Sequence, residues 1–238
     1  MAMRRLRRLI MRTPVLRDLA QKVRWFSLRP FPGSAAYWDH RYQRGGDSGG
    51  GSVGPFARFK AEVLNRFVAK HDVRSVIEFG CGDGNQLAWG EYPRYIGLDV
   101  APKAVALCRR RFADDPTKTF YVCGPGGAEG LDGPLRADLA LSLDVIYHLV
   151  EDDVFEAYMR QLFAAAERFV IVYSTDRDED VPAPFIRHRE FTAWVRAHCP
   201  DWTLIEAIPN RHADELDDRV TSAPDFFIYA RTPDDDAS

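Results

Sequence analysis

The sequence of 238 residues has only four cysteines, and they are widely spaced: Cys81, Cys108, Cys123 and Cys199. No two of them form a Cys-x-x-Cys pair, which argues against a zinc site and against a disulfide framework. We therefore predict no metal site, reduced thiols and a cytoplasmic location. The sequence also lacks an apolar run of the about 18 to 20 residues that a membrane-spanning helix needs.

Acidic residues are scarce at the start of the chain. Residues 1–29 hold nine Arg or Lys against Asp18 alone, a net charge of +8 that leaves −11 for the rest of a chain whose total is −3. Apolar residues recur there at three- and four-residue steps, which indicates an amphipathic helix. Such a basic segment is typical of peripheral contact with an anionic membrane. A helix packed on its own domain and a disordered basic arm are the alternatives.

Composition and periodicity divide the chain into four segments. Residues 1–29 are the basic segment, residues 30–55 an aromatic and glycine-rich lid or linker, residues 56–232 the main domain, and residues 233–238 an acidic tail. The main domain alternates strand and helix patterns, which predicts a doubly wound parallel sheet. Strands are predicted at 75–79, 95–99, 119–123, 137–143 and 169–175, a helix is predicted to start at Asn85, and 203–208 and 225–230 should pair as a hairpin.

The stretch "VIEFGCGDGNQL" contains the end of the first predicted strand and the turn after it. Its glycines Gly80, Gly82 and Gly84 miss the Gly-x-Gly-x-x-Gly spacing of dinucleotide sites, because Asn85 stands where the third glycine belongs. Glu78 would repel a pyrophosphate but suits a cation. Asp99 ends the second strand, where an acid can accept hydrogen bonds from ribose hydroxyls. These features predict S-adenosylmethionine (SAM), with a ligand-free tight turn and a helix-capping Asp99 as the alternatives.

Three motifs in order strengthen this prediction: "VIEFGCGDGNQL", "YIGLDVAPKAVALCRRRF" and "ADLALSLDVIYHLVED". Together they resemble the class I SAM-dependent methyltransferases over residues 73–230. The resemblance implies an α/β, Rossmann-like sheet of seven strands with an antiparallel last strand. It also implies that SAM is bound by Glu78, Gly80, Cys81, Gly82, Gly84, Asn85, Asp99 and Val100. More narrowly, "YWDHRYQRGGDSGGGSVGPFARFKAEVLNRFV", "RHREFTAW" and "PDFFIYAR" resemble a bacterial subgroup linked to glycan and cell-surface polysaccharide genes.

Chemistry is expected where the fourth of these strands ends, at "SLDVIYHL". Ligands of open α/β sheets bind beside the carboxyl ends of the strands. His148 is the candidate base, since a neutral imidazole can take a proton near pH 7, and Asp144 is the second candidate and a cofactor contact. Tyr147 and His148 would also contact the acceptor. The alternative for His148 is a structural residue.

Two further groups of residues are assigned to ligands. Tyr37, Trp38, Arg41 and Tyr42 precede the glycine-rich run and are predicted to close over SAM, with Arg41 pairing its carboxylate; a packed helix is the alternative. His188 and Arg189 are predicted to meet an anionic acceptor, and a solvated basic turn is the alternative.

The sequence thus predicts a SAM-dependent methyltransferase that acts on a hydroxyl of a saccharide or another small molecule. The alternatives are an amine or small-metabolite acceptor, and a non-catalytic SAM-binding protein. A nucleic-acid partner is not expected, because the body of the chain is acidic and lacks a basic groove pattern. No pattern addresses the oligomeric state.

Overall fold

The computed structural model describes residues 31–124, 127–130, 133–179, 181–213 and 223–232. The chain divides into two compact units, Met1–Gly33 and Ser34–Ser238. All elements described below belong to the second unit. The predictions for residues 1–29 and for the tail at 233–238 lie outside the described residues. Among the helices of the described part, none combines the length and the apolar content needed to cross a bilayer.

Five α-helices are present in the described residues, in chain order: α1 (Ser34–Gln43), α2 (Gly54–Lys70), α3 (Pro102–Arg111), α4 (Asp152–Ala165) and α5 (Phe191–His198). Proline stands in the first turn of α2 and of α3, where its fixed φ favours the helix and its missing N–H costs nothing. Single 3-10 turns lie at Gly50–Ser52, Leu87–Trp89 and Ile146–His148.

One mixed sheet holds the eight described strands: β1 (Val76–Phe79), β2 (Tyr95–Asp99), β3 (Lys118–Gly124), β4 (Gly127–Ala128), β5 (Ala137–Leu143), β6 (Ala166–Ser174), β7 (Trp202–Ile208) and β8 (Asp225–Arg231). Their order is β4-β3-β2-β1-β5-β6-β8-β7. The strands β3, β2, β1, β5 and β6 run parallel, whereas β8 is antiparallel to both β6 and β7. The predicted Rossmann-like fold with an antiparallel strand near one edge is confirmed.

Two apolar layers cover the sheet, which explains why its central strands are apolar on both faces. One layer joins α2 and α3 to the sheet through residues such as Leu64, Phe67 and Val105. The other joins α4 and α5 through Phe155, Met159 and Val195, among others.

Two local predictions were wrong. The helix expected to start at Asn85 is only the 3-10 turn Leu87–Trp89, because Gly90 follows it directly, Pro93 comes three residues later and too little chain is left before β2. The sheet also has one strand more than the seven expected, since the glycine-rich link after β3 folds back as the two-residue strand β4. The predicted hairpin of the last two strands is present as β7 and β8.

The parallel strands bring their carboxyl ends to one edge of the sheet. The segments that leave this edge are 80–84 after β1, 99–100 at the end of β2, 144–148 after β5 and 174–175 at the end of β6. Most of the residues predicted to bind ligands lie in these segments, and ligands of such sheets bind at this edge.

Candidate active site

The glycine loop turns sharply at the end of β1. Gly80, Gly82 and Gly84 all have positive φ, at 83°, 58° and 75°. A side chain is excluded most clearly at Gly82, where a Cβ would collide with the Ser48 hydroxyl and lie 2.9 Å from the Tyr42 hydroxyl. The loop is tied to β2, because the N–H groups of Gly80 and Cys81 donate to the Leu98 carbonyl at 2.7 and 2.9 Å. The sequence therefore fixes a bare and rigid turn.

Two predicted cofactor residues in this loop use their side chains for contacts within the protein. Cys81 is buried in the core, and a hydrogen bond with Cys108 together with burial raises the pKa of its thiol. The Asn85 side chain donates to Asp83 at 2.9 Å and accepts from Arg111 at 2.7 Å. Both side chains hold the loop in shape, so contact of Cys81 with a ligand is restricted to its backbone.

Asp99 joins the end of β2 to the glycine loop. Its two carboxylate oxygens accept the N–H groups of Gly82 and Ala101, each at 2.9 Å. The side chain is buried, and this burial is the main cause that raises its pKa to about 6. A carboxylate has about four lone-pair positions, so it can still accept from two hydroxyls. Val100 beside it is 41% exposed, an apolar surface next to that acceptor.

Glu78 lies beneath the same edge, within β1. It is buried and accepts the Tyr95 hydroxyl at 2.6 Å. Burial raises the pKa of Glu78 to about 7, while the Tyr95 hydrogen bond and the charge of Lys60 act in the opposite direction. A carboxyl group in this position favours any additional positive charge nearby.

Asp144 comes after β5 in a left-handed backbone conformation, with φ of 59°. Its carboxylate accepts Lys60 Nζ at 2.5 Å and the Tyr147 hydroxyl at 2.9 Å. Lys60 was not among the predicted site residues. The signal was in the sequence, because Val63, Leu64 and Phe67 lie three, four and seven residues after Lys60, which places the lysine on the apolar stripe of α2.

His148 ends the 3-10 turn after β5. Its Nδ1 lies 3.0 Å from the carbonyl oxygen of Phe185, which places the proton of a neutral ring on Nδ1 and leaves Nε2 as the acceptor. Trp38 meets the ring edge to face at 4.8 Å between centroids. Desolvation is the main cause that lowers the pKa of His148 to about 4, so the imidazole is neutral at pH 7.

Helix α1 and the glycine-rich run after it cover the glycine loop. Tyr42 is buried, and its hydroxyl shares a hydrogen bond of 2.9 Å with Ser48. Ser48 in turn exchanges two hydrogen bonds with Asp83, of 3.0 and 3.2 Å. Further along, a Cβ on Gly51 would lie 2.8 Å from Asp144 Oδ2. The segment therefore touches both the β1 loop and the β5 loop.

The other aromatic and basic residues of α1 have separate partners. Tyr37 stacks on Phe185 with 5.0 Å between ring centroids. Arg41 donates to the carboxylate and the carbonyl of Asp47, at 2.9 and 2.6 Å. Arg41 would have to leave Asp47 in order to pair with a cofactor carboxylate, so that pairing stays a prediction.

His188 and Arg189 are adjacent in the sequence but have different partners in the structure. His188 is buried and its Nδ1 lies 2.6 Å from the Thr175 hydroxyl, so the solvated turn considered for it is wrong. Arg189 donates to the Leu149 and Val150 carbonyls at 2.6 and 2.9 Å and pairs with Asp152 at 3.0 Å. These bonds hold the N-terminus of α4. Arg189 would have to give them up to make the predicted contact with an anionic acceptor.

The charges at this edge suit a cationic ligand. Four carboxyl groups lie at this edge, those of Glu78, Asp83, Asp99 and Asp144, and the last of them pairs with the buried ammonium of Lys60. The raised pKa values of Glu78 and Asp99 mean that burial disfavours their charged forms, and a cation would offset this cost. The glycine loop, the Asp99 carboxylate at the end of β2 and the acidic side chains near them define a cofactor-binding α/β enzyme. This combination suits SAM.

Comparison with known proteins gives the family. Residues 55–218 match a family model described as "Methyltransferase domain", and the chain belongs to this family. It is a SAM-dependent methyltransferase, which confirms the predicted enzyme class and cofactor. A search of curated protein sequences found no match.

Solved structures show the same fold at low sequence identity. The N-methyltransferase NodS from Bradyrhizobium japonicum WM9 aligns with a TM-score of 0.60 and 15% identity, over 85% of this chain and 100% of that one. Magnesium protoporphyrin IX methyltransferase from Synechocystis PCC 6803 aligns at 0.59 and 14%, over 83% and 98%. The methyltransferase domain of bacterial CtHen1-C aligns at 0.56 and 16%, over 74% and 98%.

Proposed function

We propose that this methyltransferase acts on a hydroxyl group of a saccharide or another small molecule, with His148 as the base. The observation that carries the proposal is the contact between His148 Nδ1 and the Phe185 carbonyl. It fixes the ring and the tautomer, so that Nε2 is held ready to accept a proton. A base must be oriented before its pKa matters, and this hydrogen bond provides the orientation.

The low pKa of His148, about 4, is compatible with this role. A free hydroxyl is a weak acid, but its oxygen becomes strongly acidic as a bond to a methyl group forms. A weak base therefore suffices if the proton leaves late, and a base that stays neutral at pH 7 is always ready to accept it. Asp144 is the second candidate for the same step.

The proposed cofactor contacts lie at the same edge. Asp99 would accept the ribose hydroxyls, and Val100 would cover the adenine. The glycine loop, Glu78 and Asp144 would surround the amino-acid end. Bound SAM supplies an electrophilic methyl group, and the chain holds the two reactants in line.

Aromatic rings near His148 favour a saccharide. Tyr37, Trp38 and Phe185 are partly buried rings within contact of one another or of His148. Flat apolar faces suit the C–H faces of a sugar ring, while the neighbouring polar atoms address its hydroxyls. The resemblance of residues 37–68 to a glycan-associated subgroup points the same way. Work at the membrane through residues 1–29 remains a prediction about a segment outside the described residues.

Methyl transfer from labelled SAM to a panel of sugar nucleotides, glycosides and amines tests the proposal. We expect a glycosidic or nucleotide-sugar acceptor to be labelled on oxygen, and His148→Gln to lower kcat by about 10²- to 10⁴-fold. His198→Gln is the matched control, because His198 is exposed and bonds only to the Trp194 carbonyl in the described part of the chain. Labelling of amines alone, or full activity of His148→Gln, contradicts the proposal.

A further inference from the structure

Lys60 is the one lysine among the buried residues of the described chain. Its side chain is 1% exposed and lies on a helix face that is otherwise apolar. A charge is buried at such a position only when it is paired, since desolvation costs several kcal/mol. The partner is Asp144, 2.5 Å away, and the Tyr173 ring lies 5.2 Å from the ammonium.

Asp144 connects this lysine to the segment that carries His148. Its second oxygen accepts the Tyr147 hydroxyl, and its N–H donates to the Tyr173 carbonyl at 3.0 Å. The residue holds a left-handed backbone conformation, which Asp adopts more readily than most other non-glycine residues. Lys60 from α2 is thus one of the contacts that fix the Asp144 carboxylate, and the only cationic one within the described part of the chain.

We propose that Lys60 is a positioning residue that holds the Asp144 carboxylate aimed at the amino-acid end of the cofactor and offsets the negative charge gathered there. The proposal rests on the proposed function in one respect, the placement of Asp144 beside the cofactor. The ionisable groups that face Asp144 are Lys60 from α2, Glu78 from β1, Tyr147 and His148 from the 3-10 turn and Tyr173 from β6.

The physical reason is the crowding of acids. The charge of Asp144 raises the pKa of Glu78, so without a nearby cation Glu78 takes up a proton more readily. A protonated carboxyl no longer attracts the ammonium of the cofactor. The charge of Lys60 lowers the pKa of Glu78, which is the direction this role requires.

Binding of S-adenosylhomocysteine (SAH), measured by calorimetry from pH 5.5 to 8.5, tests the role without a known acceptor. For Lys60→Met we expect SAH affinity at pH 6 to fall at least about tenfold, and the pH at which affinity is half maximal to rise by about one unit or more. Lys60→Arg keeps the charge and should retain the wild-type midpoint. Lys70→Met, an exposed lysine of the same helix, should change neither value.

Each outcome decides something. Wild-type protein that does not bind SAH overturns the cofactor site itself, whereas binding with an unchanged midpoint in folded Lys60→Met overturns only the role of Lys60. A purely structural lysine would lower the melting temperature without moving the midpoint. If Lys60→Met does not fold, the double variant Lys60→Met/Asp144→Asn removes both charges and avoids a buried unpaired ion. We expect it to bind SAH at least about tenfold more weakly than wild type; wild-type affinity in that variant overturns the proposal.

Discussion

Glu78 makes the cofactor-free protein less stable as the pH rises, and replacing it should reveal how much. Its pKa is raised from 4.5 to about 7, mainly by burial. The native state therefore binds more protons than the unfolded chain between these values, and the free energy of unfolding falls as the pH rises through this window. At about 1.4 kcal/mol per tenfold change, the loss is about 3 kcal/mol once the pH exceeds 7.

Glu78→Gln removes this loss and keeps a side chain that can accept the Tyr95 hydroxyl. Urea unfolding at pH 5 and pH 8 gives the comparison. At pH 5 we expect wild type and variant to differ in stability mainly by the intrinsic cost of the substitution. On going to pH 8 the variant should gain about 2.5 kcal/mol relative to wild type. The same change should weaken SAH binding. Glu91→Gln, on the exposed surface, is the control and should show no such pH-dependent difference. A variant that gains nothing at pH 8 refutes the reasoning, because Glu78 would then be ionised in the native state without cost.

Three further predictions concern the loop, its cover and the base. Gly82→Ala should weaken SAH binding at least about tenfold by calorimetry, because a Cβ collides with Ser48 and a φ of 58° costs about 1 to 2 kcal/mol for alanine; unchanged affinity would contradict the close packing. Ser48→Ala removes the hydroxyl shared with Tyr42 and Asp83, worth about 1 kcal/mol, and should speed tryptic cleavage after Arg44 about fivefold. This effect would be absent if the cover is already open. With a labelled acceptor and SAM saturating at every pH, so that titration of Glu78 and Asp99 does not limit cofactor binding, kcat should stay level down to about pH 5, since His148 has a pKa of about 4. An acid limb near pH 6.5 under these conditions would contradict the desolvated ring.

The regular part of the fold was predictable because its signals are local. Uniformly apolar runs and turn residues identified β1, β2, β5 and β6, and two strand patterns without a helix between them identified the hairpin of β7 and β8. The missing helix after the glycine loop was not predictable from periodicity alone. A helix is excluded there by the short length of chain before β2, and that limit depends on the geometry of the whole connection between β1 and β2.

In the candidate site, too, features with local sequence signals were predictable, and contacts between distant parts of the chain were not. The turn at the glycines and the position of Asp99 at a strand end were predictable because backbone conformation and strand ends have short-range signatures. Arg189 was assigned to an acceptor because its sequence neighbours are basic, whereas its actual partners are carbonyls of residues 149 and 150, about 40 positions away in the chain. The pairing of Lys60 with Asp144 spans 84 residues, and it could have been inferred only by asking what a lysine on an apolar stripe must pair with.

The need of a buried charge for an opposite partner also explains why the acidic residues at the strand ends are tolerated. Each of Glu78 and Asp99 opposes folding when it ionises, as their raised pKa values indicate, and the single ammonium of Lys60 cannot neutralise both of them as well as Asp144. A ligand that brings positive charge lowers the free energy of the bound protein by the same interactions that the free protein lacks. Affinity for the charged cofactor and the loss of stability that ionisation causes without it are therefore two results of one arrangement, and a substitution at Glu78 that improves one is expected to reduce the other.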